Sequence, residues 1–385
     1  MSDNLTYRAL KNKFGAAISK TLCVVGCLLG TSVLSVEIRI LSFNLQNLFD
    51  SKHDPGKSDW AFLPRSLKRD PLVFEECLKV RGKKWKNECF FQDWTEKSVE
   101  KKIRALAKVL DPKKLGFLPD LLLFQEVENE AVLKRLQKSL GLYPHLVHVE
   151  GPDPRGIEVA ILSRWPLIQN AKVHATSPQA RQILEASFEV SGQRLTVLAV
   201  HLPSAGNPRI RRVENLRLLN RLALQIPESQ LLIAGGDFNI TRVEESKWNL
   251  LETLIFPQWR VPHQQDLNPN VGSFWDKSAK KWNKFDLFLV RKSSGKHWSL
   301  SPQIHQISER PKAFDPATGL GVSDHFPVSL LLRESLSLGA AERSGTSPSS
   351  SRKILNRVIN LGLWEAIQAK LKNFRILATE KAKSQ

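Results

Sequence analysis

The sequence predicts an α/β protein, on three observations. Short β-rich runs recur through residues 37–334, helical patterns separate them, and run after run ends in a residue able to bind metal or move a proton. In order, the runs are VEIRILSF, DLLLFQEV, IEVAILS, RLTVLAVH, QLLIAGGD, FDLFLV and HFPVSLLL. They are apolar almost throughout rather than alternating, the pattern of strands buried on both faces. Before DLLLFQEV, Val99, Ile103, Leu106 and Leu110 recur at spacings of four, three and four, the period of an amphipathic helix. Val132, Leu133, Leu136 and Leu140 mark a second helix, and IRRVENLRLLNRLAL a third. No internal repeat is evident. With 42% hydrophobic residues in 385, the chain can bury a substantial core, and wholesale disorder is excluded.

The two ends stand apart from this alternation. Arg8, Lys11, Lys13 and Lys20 precede an uncharged run from Thr21 to Val36, with Val33 and Ser35 before a cut. Residues 1–36 therefore read as an export signal or N-terminal anchor, and the protein as exported: periplasmic, secreted or envelope-associated. The run is shorter than the roughly 18 residues of a spanning helix. Val24-Val25-Gly26-Cys27 resembles a lipobox, although the apolar run continues well past Cys27. Residues 336–352 are a Ser/Gly/Ala-rich linker. Residues 353–385 form a basic amphipathic helical tail: Leu363, Trp364, Ile367, Leu371 and Phe374 make the apolar stripe, with Lys370, Lys372 and Arg375 around it. Such a tail lies on a membrane surface or packs back on its own domain. That leaves residues 37–335 as one catalytic domain, expected to be monomeric.

Cys77 and Cys89 are the only cysteines beyond the signal, flanking LKVRGKKWKNE. In an oxidising compartment they pair in a disulfide worth roughly 3 kcal/mol, or they remain two thiols. The net charge of +19, from 57 Lys+Arg against 38 Asp+Glu, points to a polyanion: nucleic acid, an anionic membrane or a phosphorylated substrate. Residues 1–36 carry four basic and one acidic side chain and residues 336–385 nine and three, so residues 37–335 keep +10.

Asn44 follows ILSF, Glu126 follows LLLFQ, and His201 and Asp237 end their runs; Asp286 opens DLFLV, and Asp324-His325 immediately precede FPVSLLL. One such residue is ordinary turn chemistry, but six at strand boundaries are hard to assign to turns alone. Carboxylate and amide oxygens suit a hard cation such as Mg²⁺, with Mn²⁺ or Ca²⁺ as alternatives. Glu126 is the leading ligand. His201 and His325 can exchange protons near neutrality. Asp237 and Asn239, one residue apart in GGDFN, project to the same side of a strand end. Together these are the parts for attack of water on a phosphodiester. The signatures GxSxG, GKS/T, GxGxxG and HExxH are absent, so acyl-hydrolase, nucleotide-triphosphatase, dinucleotide and zincin chemistry lack their motifs.

At these residues the sequence resembles the DNase I-like endonuclease/exonuclease/phosphatase superfamily, over about Ile38 to Leu332. FN at Phe43-Asn44, QE at Gln125-Glu126, GDFN at Gly236 to Asn239 and SDHFPV at Ser323 to Val328 occur in its order and at domain-scale spacing. FNLQNLFD and RGIEVAILSRWPL look like secreted or envelope-associated bacterial members. The resemblance implies a four-layered α/β sandwich, two packed mixed sheets flanked by helices. It implies that Glu126, with Asn44 and Asp324, holds the metal, and that Asp237 and Asn239 position the water and the scissile phosphate. His325, oriented by Asp286, would contact the phosphate or act as base, and His201 would be acid or phosphate ligand. Arg181 matches a phosphate-contacting arginine. Glu158 lies within one residue of a carboxylate that partners the second histidine in some relatives. Asn47 is read as a turn cap, and His53, His145, His148 and His174 as surface or loop residues.

The fold does not fix the substrate. His201 stands where abasic-site endonucleases carry a different segment, and resembles the DNase I and sphingomyelinase branches. A basic exported protein fits a sequence-nonspecific nuclease, binding the phosphate backbone through Arg209, Arg211, Arg212 and Arg217 or through Lys83, Lys84 and Lys86. The alternatives are a sphingomyelinase-like or inositol-phosphate phosphoesterase at a membrane, with Trp60, Trp85 and Trp94 as lipid-facing aromatics, and an inactive nucleic-acid- or partner-binding domain.

Overall fold

The computed structural model of the chain describes residues 36–264, 271–315, 317–318 and 320–334. The expected export signal, up to Ser35, and the expected linker and amphipathic tail lie outside the described residues. Six strands come first: β1 (Val36–Leu48), β2 (Leu121–Val127), β3 (His145–His148), β4 (Glu158–Ser163), β5 (Lys172–His174) and β6 (Ile183–Val190). They are followed by β7 (Gln193–His201), β8 (Leu231–Asp237), β9 (Trp259–Arg260), β10 (Asp286–Arg291), β11 (Trp298–Ile304) and β12 (Val328–Glu334). These strands build two six-stranded sheets, ordered β11-β12-β1-β2-β4-β3 and β5-β6-β7-β8-β10-β9. Each sheet has one parallel pair, β1 with β2 and β7 with β8, among antiparallel neighbours. A parallel pair needs a long crossover. Helix Glu96–Val109 lies in the first crossover and helix Arg209–Gln225 in the second.

The continuous apolar runs are explained by the layers. Ile38, Ile40, Leu121 and Leu123 face the other sheet and pack with Val197, Ala199, Ile233 and Phe288. Their neighbours Leu41, Phe43, Leu122 and Phe124 point outward onto Val99, Ile103 and Leu106 and onto Val132, Leu133 and Leu136. On the second sheet Leu198, Val200, Leu232 and Ala234 face Leu216, Leu219 and Leu222. Helices therefore cover both outer faces, which is the expected four-layered α/β sandwich. The first crossover helix is capped by Thr95, whose side chain accepts from Ser98 N, and the helix Glu130–Leu140 by Asn129, accepting from Val132 N.

Four features differ from expectation. ILEASFEV forms β6, although Glu185 and Glu189 break its apolar run. His145, His148 and His174 sit in the strands β3 and β5 at the sheet edges rather than in loops, and His174 pairs with Glu185 at 2.8 Å. HFPVSLLL starts as a strand only at Val328, after Pro327, which has no N–H for a ladder. Arg212 is not surface charge: it is buried, ties the carbonyls of Pro203 and Ser204, and pairs with Glu244.

The segment between Asp50 and Trp94 folds as an insertion. Helices Pro71–Lys79 and Lys83–Phe91 are joined by a Cys77–Cys89 disulfide, Cα atoms 5.5 Å apart, over a small core with Leu63 and Val73. The helix Pro71–Lys79 begins where Asp70 accepts from Leu72 N, with proline at its first position. Trp60 stacks on His53, and the Trp94 indole donates to the Phe49 carbonyl at 3.2 Å, so only Trp85 of the three tryptophans stands exposed. Leu123 packs fully buried between the two sheets. Leu123→Ala should cost about 2–5 kcal/mol, read as a lower urea midpoint at unchanged slope.

Candidate active site

The topology brings the strand ends together before any side chain is considered. β1 and β2 run parallel, as do β7 and β8, so Asn44, Glu126, His201 and Asp237 lie at the carboxyl ends of two central pairs. β10 and β12 run antiparallel to β8 and β1, so their starting ends reach the same rim. Register aligns His201 with Asp237 and Asp237 with Asp286 across three neighbouring strands. Asn44 aligns with Gln125, and the register then shifts on both sides of Glu126. Glu126 has φ +62° and Asn239 φ +51°, left-handed conformations that side chains adopt at a cost of about 1–3 kcal/mol and that cluster at functional sites. Gly236 has φ +145°, and a Cβ there would lie 2.0 Å from the Val200 carbonyl oxygen. The second glycine of GGDFN is thus what lets β8 deliver Asp237.

Asp237 is the hub. Its Oδ1 accepts from Asn239 N at 2.8 Å, and its Oδ2 accepts from Asn44 Nδ2 at 3.1 Å. The same Oδ2 lies 3.7 Å from His201 Nε2 and 3.8 Å from His325 Nε2. Asn239 is itself fixed, its Nδ2 donating to the Leu202 carbonyl at 3.0 Å. Burial raises the Asp237 pKa, with Asp286 adding to the effect and His325 opposing it.

The two imidazoles are driven to opposite charge states. Burial alone would neutralise His325, but Asp286, 2.7 Å from its Nδ1, together with Asp237 and Asp324, holds it up to about 10. His201 is pushed well below its usual range, by burial first and then by Arg181, Arg155 and His325. Arg181 Nη1 donates to His201 Nε2 at 2.9 Å. A guanidinium cannot accept, so that nitrogen carries a lone pair and the ring proton sits on Nδ1, a buried atom without a hydrogen-bond partner.

Arg181 is oriented by Asp153, 2.9 Å from its Nε, and by the Leu202 carbonyl. Glu158 is buried at the start of β4, but the structure does not pair it with His201. It lies 3.7 Å from Lys57 Nζ, which also spans Glu150 and the Gly151 carbonyl. The chain between β3 and β4 draws that lysine over it. Asn47 has φ +61°, donates its N–H to Glu126 Oε2 at 2.9 Å and accepts from Arg155.

Glu126 and Asp324 are the carboxylates expected to hold a cation, and they lie close enough for one charge to bear on the other. Asp324 is raised by burial, with the Glu126 charge adding to the effect. Asn44 accepts from Gln46 N through its Oδ1, and its Nδ2 donates to Asp237 and lies 3.5 Å from Glu126, so its amide braces both carboxylates. Among the described residues, no group of three or more His, Cys, Asp and Glu side chains is set to hold a cation by itself. One or two carboxylates plus waters and phosphate oxygens are what Mg²⁺ uses, so this donor set fits it.

The profile of the Endonuclease/Exonuclease/phosphatase family matches residues 93–325, more than half of the chain. The chain belongs to that family. Among curated proteins it is similar to tyrosyl-DNA phosphodiesterase 2 of Danio rerio, 25% identical over 166 residues, which are 42% of this chain and 43% of that relative. The match therefore spans less than half the relative's length. A crystal structure of humanized D. rerio TDP2 carrying 14 mutations covers 77% of this chain and 98% of its own at TM-score 0.50 and 18% identity. A family protein from Bacteroides thetaiotaomicron covers 78% and 99% at TM-score 0.50 and 14% identity. Both likenesses show the fold, two packed mixed sheets flanked by helices.

Several supporting residues carried no sequence signal of their own. Asp153 lies in GPDPRG, which reads as a turn. Lys102 lies beside the apolar stripe of its helix, and its Nζ reaches the carbonyls of Gln46 and Val322. Burial pushes Lys102 down to about 8 while Asp324 and Glu126 pull the other way. Ser323 joins the Asn44 carbonyl at 2.7 Å to His325 N at 3.0 Å, and it stood within the SDHFPV motif. Gly236→Ala should displace Asp237 from His201 and Asp286, lowering turnover more than it lowers the melting temperature. Wild-type turnover in that variant would contradict the packing argument.

Proposed function

We propose that this member of the family is a divalent-metal-dependent phosphodiesterase that hydrolyses nucleic acid by in-line attack of water on phosphate. One observation carries the reading: a single carboxylate oxygen, Asp237 Oδ2, sits between an amide donor at 3.1 Å and two imidazoles at 3.7 and 3.8 Å. A cation held by Glu126 and Asp324 would supply positive charge to a phosphate oxygen. Asp237, with its raised pKa and its Oδ1 tied to Asn239, is placed to take a proton from the attacking water. His325, cationic through Asp286, donates toward the charge that accumulates on the nonbridging oxygens. His201, neutral, accepts from Arg181 and so orients a guanidinium for the phosphate.

The cleft beside Arg181 supports nucleic acid over lipid. Lys57, Arg155, Arg181 and Arg211 line it beside Asp153 and Glu214, and the cations suit a phosphate backbone. The Danio rerio relative is named for a phosphodiester between tyrosine and DNA, which supports the same class. Export belongs to this reading too, since the Cys77–Cys89 disulfide is at home in an oxidising compartment.

The test is hydrolysis of plasmid DNA, single-stranded DNA, RNA, sphingomyelin and inositol phosphates, with Mg²⁺ or with EDTA. Metal-dependent cleavage of nucleic acid alone is expected, while phosphocholine release with DNA intact would overturn it. His201→Ala, His325→Ala and Asp237→Ala should each lower turnover by about 10²–10³ in a folded protein. Near-wild-type turnover in any of them removes that residue from the mechanism.

A further inference from the structure

The insertion is rich in a kind of surface the rest of the protein rarely shows. Of the twelve exposed large apolar side chains among the described residues, six fall between residues 67 and 91. Scattered exposed apolar residues are ordinary; a cluster marks an interaction site. Here the cluster is continuous. Phe74 and Leu78 stand one turn apart on helix Pro71–Lys79, and the Phe74 ring lies 5.2 Å from that of Phe90, which lies 6.1 Å from Phe91. Phe91 is 64% exposed and Leu72 58%. The inner face of the hairpin is already satisfied by Val73, Cys77 and Cys89, so the outer apolar face is surplus to folding.

Cations surround the turn that joins the two helices. Lys79, Arg81, Lys83 and Lys86 line one concavity there together with Leu78. Lys79 pairs with Glu76, but Arg81, Lys83 and Lys86 make no ion pair among the described residues. Apolar and aromatic side chains edged by unpaired cations are the chemistry of a bilayer interface, where rings sit at headgroup depth and lysine stems lie along the apolar surface. A nucleic acid would use the cations, but it gives Leu72, Leu78 and Phe91 nothing comparable to enter. The disulfide holds the two helices together before any contact is made, which lowers the ordering cost of docking.

We propose that the disulfide-closed hairpin Pro71–Phe91 docks this protein on an anionic lipid surface, with Phe74, Leu78 and Phe91 entering the interface and Arg81, Lys83 and Lys86 meeting the phosphate headgroups. This surface is separate from the phosphodiesterase reading, and the assay reads binding without turnover, so either can fail alone.

The experiment is co-sedimentation of the full chain with phosphatidylcholine vesicles with or without phosphatidylglycerol. Binding is expected only with phosphatidylglycerol present. It should fall on the order of a hundredfold in an R81E/K83E/K86E variant and at least about tenfold in F74S/F91S, an exposed pair whose loss leaves the inner core intact. Both variants should keep the parent's near-ultraviolet circular dichroism, and F74S/F91S its hydrolysis of a soluble substrate. The proposal is overturned if the parent ignores phosphatidylglycerol, if either variant partitions like the parent, as when the C-terminal tail alone carries binding, or if the charge variant loses DNA binding while vesicle binding stays.

Discussion

Asp237 is a carboxylate taken almost wholly out of water, and the rest of the site is arranged to keep it there. An isolated buried charge is costly, so the group must be hydrogen-bonded or change its protonation. Asn44 and Asn239 supply the hydrogen bonds, and cationic His325 supplies the opposing charge. None of these contacts would survive a one-residue slip of β8, because a slip turns every side chain of a strand to the other face. The pairing of β8 with β7 and β10, the missing Cβ of Gly236 and the facing sheet's Asn44 therefore act as one constraint.

That constraint also separates the two histidines. His325 has an aspartate on its Nδ1 and further carboxylates nearby, whereas His201 has a guanidinium on its Nε2 and no partner on Nδ1. Two imidazoles flanking one oxygen thus take different charges, a separation that divides acid and base roles in hydrolytic sites. The arrangement follows from Arg181 being pinned by Asp153. It leaves Glu158, the expected partner of His201, to Lys57 instead.

Much of this was legible in the sequence because strand ends are. Runs buried on both faces stand out from their flanks, and the residue that stops such a run is visible without knowing the topology. Asn44, Glu126, His201, Asp237, Asp286 and His325 each stand where such a run stops or starts, and the structure brings them to one rim. Features whose meaning depends on a distant segment were not legible. The strand β6 carries Glu185 because His174 of the edge strand β5 pairs with it, and Glu189 stands exposed. Arg212 reads as surface charge until Glu244 and two loop carbonyls bury it. Asn44 stands in its motif as a candidate metal ligand, and only the folded site joins its amide to Asp237 and Gln46. Asp153 and Lys102 sit in a turn and on a helix flank, where charged residues are ordinary.

The insertion shows the same limit from the other side. Its cysteines were visible as a pair, but the exposed Phe74 and Phe91 become a surface only once two helices fold against each other. At the site, the most direct measurement is the ¹⁵N spectrum of the imidazoles in the metal-free protein at neutral pH. His325 should carry protons on both ring nitrogens, and His201 on Nδ1 alone. Two histidines titrating together near the ordinary imidazole range would contradict the account.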